Sequence, residues 1–291
     1  MHMSGHLIKG IIGGDDFIVE TVLTGLSRSE NLSEYWIVAQ NEGRCEELRK
    51  KYNINATTDM NFISDASVLI LAFRFKEAKD MLSKLAAKIS EDTILISVVP
   101  GIATVFINGF FPKNQIVRLT FNPSIISGEG IAAYVANDRA SNETKVLARD
   151  MLVSFGRIIE VSSEDEFEKL RKFIHANTFL SYIVVKSIVD AAHKLGFSLD
   201  QSGVLIDQIF KGASHTLIKF QFEGNEMLKD GLRNKKFANQ AIDTIREYGI
   251  YDEIERYLTS KDSSALFDTN NEDDTEHFNL HYDWFESVVS K

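Results

Sequence analysis

Over residues 1–121, short β-branched apolar runs alternate with segments whose apolar residues recur at helical spacing, and few architectures satisfy both patterns at once. The runs are "LIKGIIG" (7–13), "YWIVA" (35–39), "ASVLILAF" (66–73), "TILISVV" (93–99) and "IVRLTF" (116–121). They are nearly continuous in apolar character, as strands buried on both faces of a parallel sheet must be. Between them lie "DFIVETVLTGLSRS", "EGRCEELRKKYN" and "KEAKDMLSKLAAKI", which read as amphipathic helices. Strand, helix and strand in repetition predict a doubly wound α/β sheet. A further strand pair, "GIAAYVA" and "RIIEVS", flanks the helical "SNETKVLARDMLVSFG", and the sheet is expected to end near Val161.

The second half follows another pattern. The last of three prolines is Pro123, and residues 165–196 form one long helical segment with Leu170, Phe173, Ile174, Val184, Ile188, Ala191 and Leu195 on a stripe closed by Gly196. Asn177 is expected on the same stripe. "SLDQSGVLIDQIFKGASHTLIKFQFE" and "FANQAIDTIREYGIYDEIERYL" continue as helices. The expected organisation is a nucleotide-binding α/β domain over 1–162, an all-helical domain over 163–262, and an acidic tail over 263–291.

Charge and cysteine content exclude several classes of function. The net charge of −10 argues against phosphate-backbone binding, hence against a nucleic-acid partner. Residues 262–291 hold eight carboxylates against Lys291, a balance of −7 that leaves −3 for the rest of the chain. In that tail Phe278, Tyr282, Phe285 and Val289 stand at helical spacing, a pattern that suits docking on another subunit or a protein partner, or equally a frayed terminus. No apolar run approaches a membrane span and no secretion signal opens the chain, so a cytoplasmic location and no membrane partner are expected. Cys45 is the single cysteine, which excludes a disulfide framework and a multi-cysteine metal site, and no metal is expected.

The turn after the first run reads "GIIGGDDF". In a dinucleotide-binding turn the first glycine permits the bend, the second lets the backbone approach the pyrophosphate, and the third allows close helix–strand packing. Gly13 fits the first position and Gly14 follows it, but Asp15 stands where the second is expected. A carboxylate there adds bulk and negative charge beside a di-anion that the helix N-terminus attracts. A plain turn with Asp15 or Asp16 as helix N-cap is the alternative reading. In "IVAQNEGRC", after the second run, no carboxylate ends the strand, so the usual mark for the ribose hydroxyls of NAD is absent. Gln40, Asn41 and Arg44 are candidates for a 2′-phosphate, which leans towards NADP and leaves NAD open.

These elements and their order resemble the pyrroline-5-carboxylate reductases, from about Leu7 to about Leu258. "GIIGGDDF" stands where the family has a G-F-I-G-x-G-N-M-like turn, and "ASVLILAFRFKEAKDML" and "ILISVVPGI" resemble its later strands and cofactor-contacting loop. Most specific is "VRLTFNPSIISGEGIAAYVAN", similar to the family's V-R-x-M-P-N-T-P-x-x-x-G-E-G segment and keeping Arg118, Asn122, Gly128, Glu129 and Gly130. The resemblance implies a Rossmann-type doubly wound sheet followed by an all-helical dimerisation domain, like the C-terminal domain of 6-phosphogluconate dehydrogenases. It implies reduction of a small cyclic imine to proline with NADP or NAD, in a homodimer paired through the helical domain. By the same resemblance the cofactor contacts are Gly13, Gly14, Asp16, Phe17, Asn41, Ala72, Arg74, Asn122 and Pro123.

The substrate motifs depart from the family. Where it has S-G-S-G-P-A-Y, this chain has "IHANTFL" (174–180), and where it has T-S-P-G-G-T-T after K-D-x-V, this chain keeps Lys229 and Asp230 and continues "GLRNKKFAN". Glycine amides and small hydroxyls form an anion nest. An imidazole, an amide and a hydroxyl replace it here, so His175, Asn177 and Thr178 are the candidate catalytic residues. Lys172 with His175 or Asn177 resembles the lysine and asparagine pair of the wider 6-phosphogluconate dehydrogenase type. Two functions stand open: an NAD(P)H-dependent oxidoreductase acting on an imine or related small substrate, and a catalytically inactive relative serving as a dimeric binding or scaffold protein.

Overall fold

In the computed structural model of the chain, the described residues are 8–13, 17–219 and 235–259. Those up to Ile174 form one compact unit and those from His175 onward another.

The first unit is built on an eight-stranded sheet. Its strands are β1 (Lys9–Ile12), β2 (Tyr35–Val38), β3 (Asn55–Thr57), β4 (Val68–Leu71), β5 (Ile94–Ser97), β6 (Ile116–Phe121), β7 (Gly130–Ala136) and β8 (Gly156–Glu160), in the spatial order β3-β2-β1-β4-β5-β6-β7-β8. The ladders from β3 to β6 are all parallel, β7 runs antiparallel to β6, and β8 is parallel to β7. Successive side chains of a strand point to opposite faces, and both faces here are apolar. Ile11, Ile37, Ile70, Ile96 and Val117 enter one core together with residues of α1 (Phe17–Leu26), α2 (Glu42–Tyr52) and α5 (Asn142–Met151). Ile12, Val38, Leu69, Leu71, Leu95 and Ile116 enter the other, beneath α3 (Ala78–Ala86) and α4 (Thr104–Phe110). At about 1.5–3 kcal/mol for each large side chain removed from water, these two cores are the main stabilising term.

Local signals set the element ends. The Asn41 Oδ1 accepts from the Arg44 N–H at 2.9 Å and caps α2, which ends on Asn53 in the left-handed region. The Ser141 Oγ accepts from the Thr144 N–H at 3.2 Å and caps α5. The segment carrying "NPSIISGEG" is a structural corner. Asn122 accepts at Oδ1 from the Ile131 N–H at 2.9 Å, so it joins β6 to β7. Gly128 has φ +77°, and a Cβ on Gly156, at φ +121°, would stand 2.3 Å from the Gly130 carbonyl oxygen. The doubly wound architecture read from the sequence is the one observed. Two elements were not anticipated, the edge strand β3 and the short helix α4.

The long helix α6 (Glu164–Lys194) begins in the first unit and continues into the second. In the second unit it is followed by α7 (Leu199–Lys219), α8 (Lys235–Glu247) and α9 (Ile250–Thr259), with Gly196 and Gly249 in the left-handed region at the breaks. All described secondary structure of this unit is helical. Among the described residues, Ile183, Ile188, Leu199, Val204, Ile209 and Ile218 are exposed apolar side chains of α6 and α7. None of the described helices is long and apolar enough to cross a membrane.

Candidate nucleotide-binding crevice

In an open α/β sheet ligands bind outside the carboxyl ends of the strands, where the strand order reverses. Here that point is the carboxyl end of β1, which lies between β2 and β4. Gly13 follows β1 and is fully buried. A Cβ on it would stand 2.2 Å from the Ala72 carbonyl oxygen and 2.8 Å from the Val19 Cγ2, so only glycine lets β1, α1 and the end of β4 approach as they do. Phe17 opens α1 and is half-buried. Gly14, Asp15 and Asp16 lie outside the described residues.

Four more candidates follow the neighbouring parallel strands along the same edge. Ala72 is inaccessible to solvent and its N–H donates to the Ile12 carbonyl at 2.8 Å. Arg74, half-buried, donates through its guanidinium to Glu77 Oε1 at 2.7 and 3.1 Å, while Glu77 Oε2 accepts from the Arg74 N–H at 3.1 Å. Asn122 and Pro123, half-buried, follow β6. From β1 to β6 are three strand spacings, about 14 Å at the usual separation. The sheet therefore brings Gly13, Phe17, Ala72, Arg74, Asn122 and Pro123 to one edge.

The adenosine side differs from the expectation drawn for Arg44. Asn41 lies at the surface at the start of α2. Arg44 is turned onto α1, with Nη2 2.6 Å from Glu20 Oε1 and Nη1 2.8 Å from Glu47 Oε2. Glu20 also accepts from the Lys51 Nζ at 2.7 Å and from the Tyr52 hydroxyl. Burial opposes the Glu20 charge, but the hydrogen bonds from Lys51, Tyr52 and Arg44 outweigh it and hold the carboxyl below its ordinary range.

At the far side of the sheet Arg118, 2% exposed, spans from β6 to the first two turns of α6. Its Nη1 is 2.5 Å from Glu164 Oε2, its Nη2 2.6 Å from Glu168 Oε1, and its guanidinium lies over the Phe167 ring at 4.5 Å. Glu164 also caps α4 by accepting the Thr104 N–H at 2.7 Å. Burial raises the Glu168 pKa, but Arg171 and Arg118 pull it below the ordinary value. Arg118 was legible as a retained position. Its carboxylate partners lie 46 and 50 residues away, and no local signal announces them.

The catalytic candidates lie on α6 in the second unit. His175 and Thr178 are half-buried, while Asn177 is exposed, as is Lys172 at the end of the first unit. The buried positions at this point of α6 are Ile174 and Ala176. The stripe therefore turns away from Asn177, because Phe167, Arg171 and Ile174, at spacings of four and three, set the covered face. Lys229, Asp230 and the acidic tail lie outside the described residues.

Sheet, crevice and helical unit together define a Rossmann-type α/β protein with a helical C-terminal unit. Residues 9–101 match the family model described as NADP oxidoreductase, coenzyme F420-dependent. The chain is similar to the pyrroline-5-carboxylate reductase of Haemophilus influenzae, with 25% identity over 213 residues, 72% of this chain and 78% of that protein. It is 26% identical to pyrroline-5-carboxylate reductase 1 of Bacillus subtilis over 224 residues, 75% of each. In fold it is similar to the Plasmodium falciparum pyrroline carboxylate reductase solved with NADP bound, at TM-score 0.75 and 17% identity, over 89% of this chain and 97% of that one. The Coxiella burnetii pyrroline-5-carboxylate reductase gives TM-score 0.73 at 20% identity, over 88% and 96%. The resemblance read from the turn, the strands and the "NPSIISGEG" block is thus met again over most of the chain.

Proposed function

We propose that this chain is an NAD(P)H-dependent oxidoreductase that reduces the C=N bond of a small imine, in the manner of the pyrroline-5-carboxylate reductases. Gly13 carries the reading. The missing Cβ lets β1, α1 and the end of β4 close together at the reversal point of the sheet, the packing that suits a dinucleotide whose pyrophosphate rests on the start of α1. When bound, the nicotinamide supplies the hydride. The chain's own residues bind and orient. Gly13 and Phe17, on either side of the turn, border the pyrophosphate; Gly14 and Asp16 belong to the same contact by resemblance. Asn41 borders the adenosine ribose, Ala72 and Arg74 border the middle of the dinucleotide, and Asn122 and Pro123 border its nicotinamide end.

In this reading His175 delivers the proton to the imine nitrogen, and Asn177 and Thr178 hold the substrate by hydrogen bonds in place of an anion nest. The exposed apolar side chains of α6 and α7 support a homodimer paired through the helical unit, since exposed apolar surface on this scale marks an interface. The test is the loss of reduced-nicotinamide absorbance when the purified protein meets pyrroline-5-carboxylate with NADPH, then with NADH. Turnover abolished by His175→Ala supports the reading. Nucleotide binding without turnover on any cyclic imine would favour the other reading, an inactive relative kept for dimeric binding, which the replacement of the family's substrate motif by "HANT" supports.

A further inference from the structure

The ribose of the adenosine half belongs past the carboxyl end of β2, where a carboxylate suits NAD and an arginine suits the 2′-phosphate of NADP. Neither mark ends the strand, and Glu42, the first residue of α2, is paired with Arg49 at 2.7 Å. Ala39 is buried, Gln40 and Asn41 follow it, and the first cation of α2 is Arg44 at its third residue. That guanidinium is paired with Glu20 of α1 at 2.6 Å and Glu47 of α2 at 2.8 Å, with the side chain 13% exposed. Glu20 is itself held from a second direction by Lys51 at 2.7 Å and by the Tyr52 hydroxyl, which stands 3.0 Å from the Thr24 hydroxyl. The acceptor for Arg44 is therefore pinned to the α1–α2 interface and does not follow the arginine towards a ligand.

We propose that Glu20 is a specificity-determining residue that acts through Arg44: by keeping the guanidinium on the α1–α2 interface it withholds it from a 2′-phosphate, and the chain discriminates little between NADPH and NADH. This rests on the cofactor reading above. Glu20 touches no ligand in this account and sets the position of the group that would.

The experiment is calorimetric titration of NADPH and NADH into the wild-type chain, Glu20→Gln, Arg44→Ala and the double variant. The wild type binds the two nucleotides within about threefold of each other. Glu20→Gln weakens the hold on Arg44, leaving the Glu47 pair, and tightens NADPH by roughly fivefold, about 1 kcal/mol, while NADH moves by less than about twofold. The double variant returns the ratio to the wild-type value, and Arg44→Ala alone leaves it unchanged. A ratio unmoved by Glu20→Gln overturns the proposal, as does selective loss of NADPH in Arg44→Ala, which would place Arg44 on the phosphate already. Should Glu20→Gln fail to fold, Arg44→Ala decides by itself. A wild-type chain that melts cooperatively yet binds neither nucleotide overturns the cofactor reading itself, a result distinct from equal binding with an unresponsive ratio.

Discussion

Gly13→Ala tests the packing argument at its tightest point. The added Cβ would stand 2.2 Å from the Ala72 carbonyl oxygen and 2.9 Å from its carbon, where ordinary contact begins near 3.4 Å. Relief requires the ends of β1 and β4 to part by about 1 Å, yet the Ala72 N–H donates to the Ile12 carbonyl at 2.8 Å across the same gap. Overpacking costs about 1–3 kcal/mol, and a weakened backbone hydrogen bond adds about 1 kcal/mol, so a loss of roughly 3 kcal/mol is expected. At about 2–4 °C for each kcal/mol in a domain of this size, the melting temperature falls by roughly 6–12 °C. Urea unfolding followed by circular dichroism measures the loss directly. Gly109→Ala is the control: a Cβ there meets nothing within 4 Å beyond its chain neighbours and its own helix backbone, and helix propensity predicts a gain of about 0.5–1 kcal/mol. A Gly13→Ala chain within about 0.5 kcal/mol of wild type would refute the close approach of β1, α1 and β4.

Arg118→Met leaves Glu164 and Glu168 facing each other without their shared cation. Because both carboxylates are about one-third exposed, the expected cost is roughly 2–3 kcal/mol, below the 3–5 kcal/mol of a fully buried pair; urea unfolding with no loss would refute the bridge. Glu20, Glu160 and Glu168 all titrate below the ordinary carboxylate value of 4.5. Depressed folded-state values mean that their contribution is present above about pH 4.5 and lost as pH falls through the lowered values. Burial, with the Glu160 carboxylate beside it, pushes Tyr134 up to about 12, so its contribution holds below about pH 10 and is lost as pH rises through 12. Stability that stays flat on acidification from neutrality through the carboxylate range would contradict these assignments.

The parallel sheet was legible because strands covered on both faces must be apolar along most of their length, and β1, β2, β4, β5 and β6 nearly are, with Arg118 the main departure. β3 escaped for the opposite reason. "NAT" is three residues at the sheet edge, paired only to β2, and its polar Asn55 and Thr57 meet no burial requirement. The helix α4 is seven residues with an internal glycine, too short for a period to show. At the site, Gly13 was legible from its type and spacing, whereas the fate of Arg44 was not. Its position after β2 suggested a phosphate contact, but Glu20, 24 residues earlier on another helix, takes the guanidinium. The block around Asn122 was legible as a family segment, and its glycines prove to be required by the corner itself, where Gly156 meets Gly130. For Asn177, a helical period alone could not fix which face of α6 is covered: Phe167, Arg171 and Ile174 are buried there, a face that includes a charged residue.

Calorimetric titration of the purified full-length chain with NADPH and then NADH tests the central claim, that the crevice beside Gly13 holds a dinucleotide. Dissociation constants in the micromolar range, about −8 kcal/mol, for both nucleotides with a matching rise in melting temperature are the predicted result. No heat and no thermal stabilisation with either nucleotide at millimolar concentration, above about −4 kcal/mol, would contradict it.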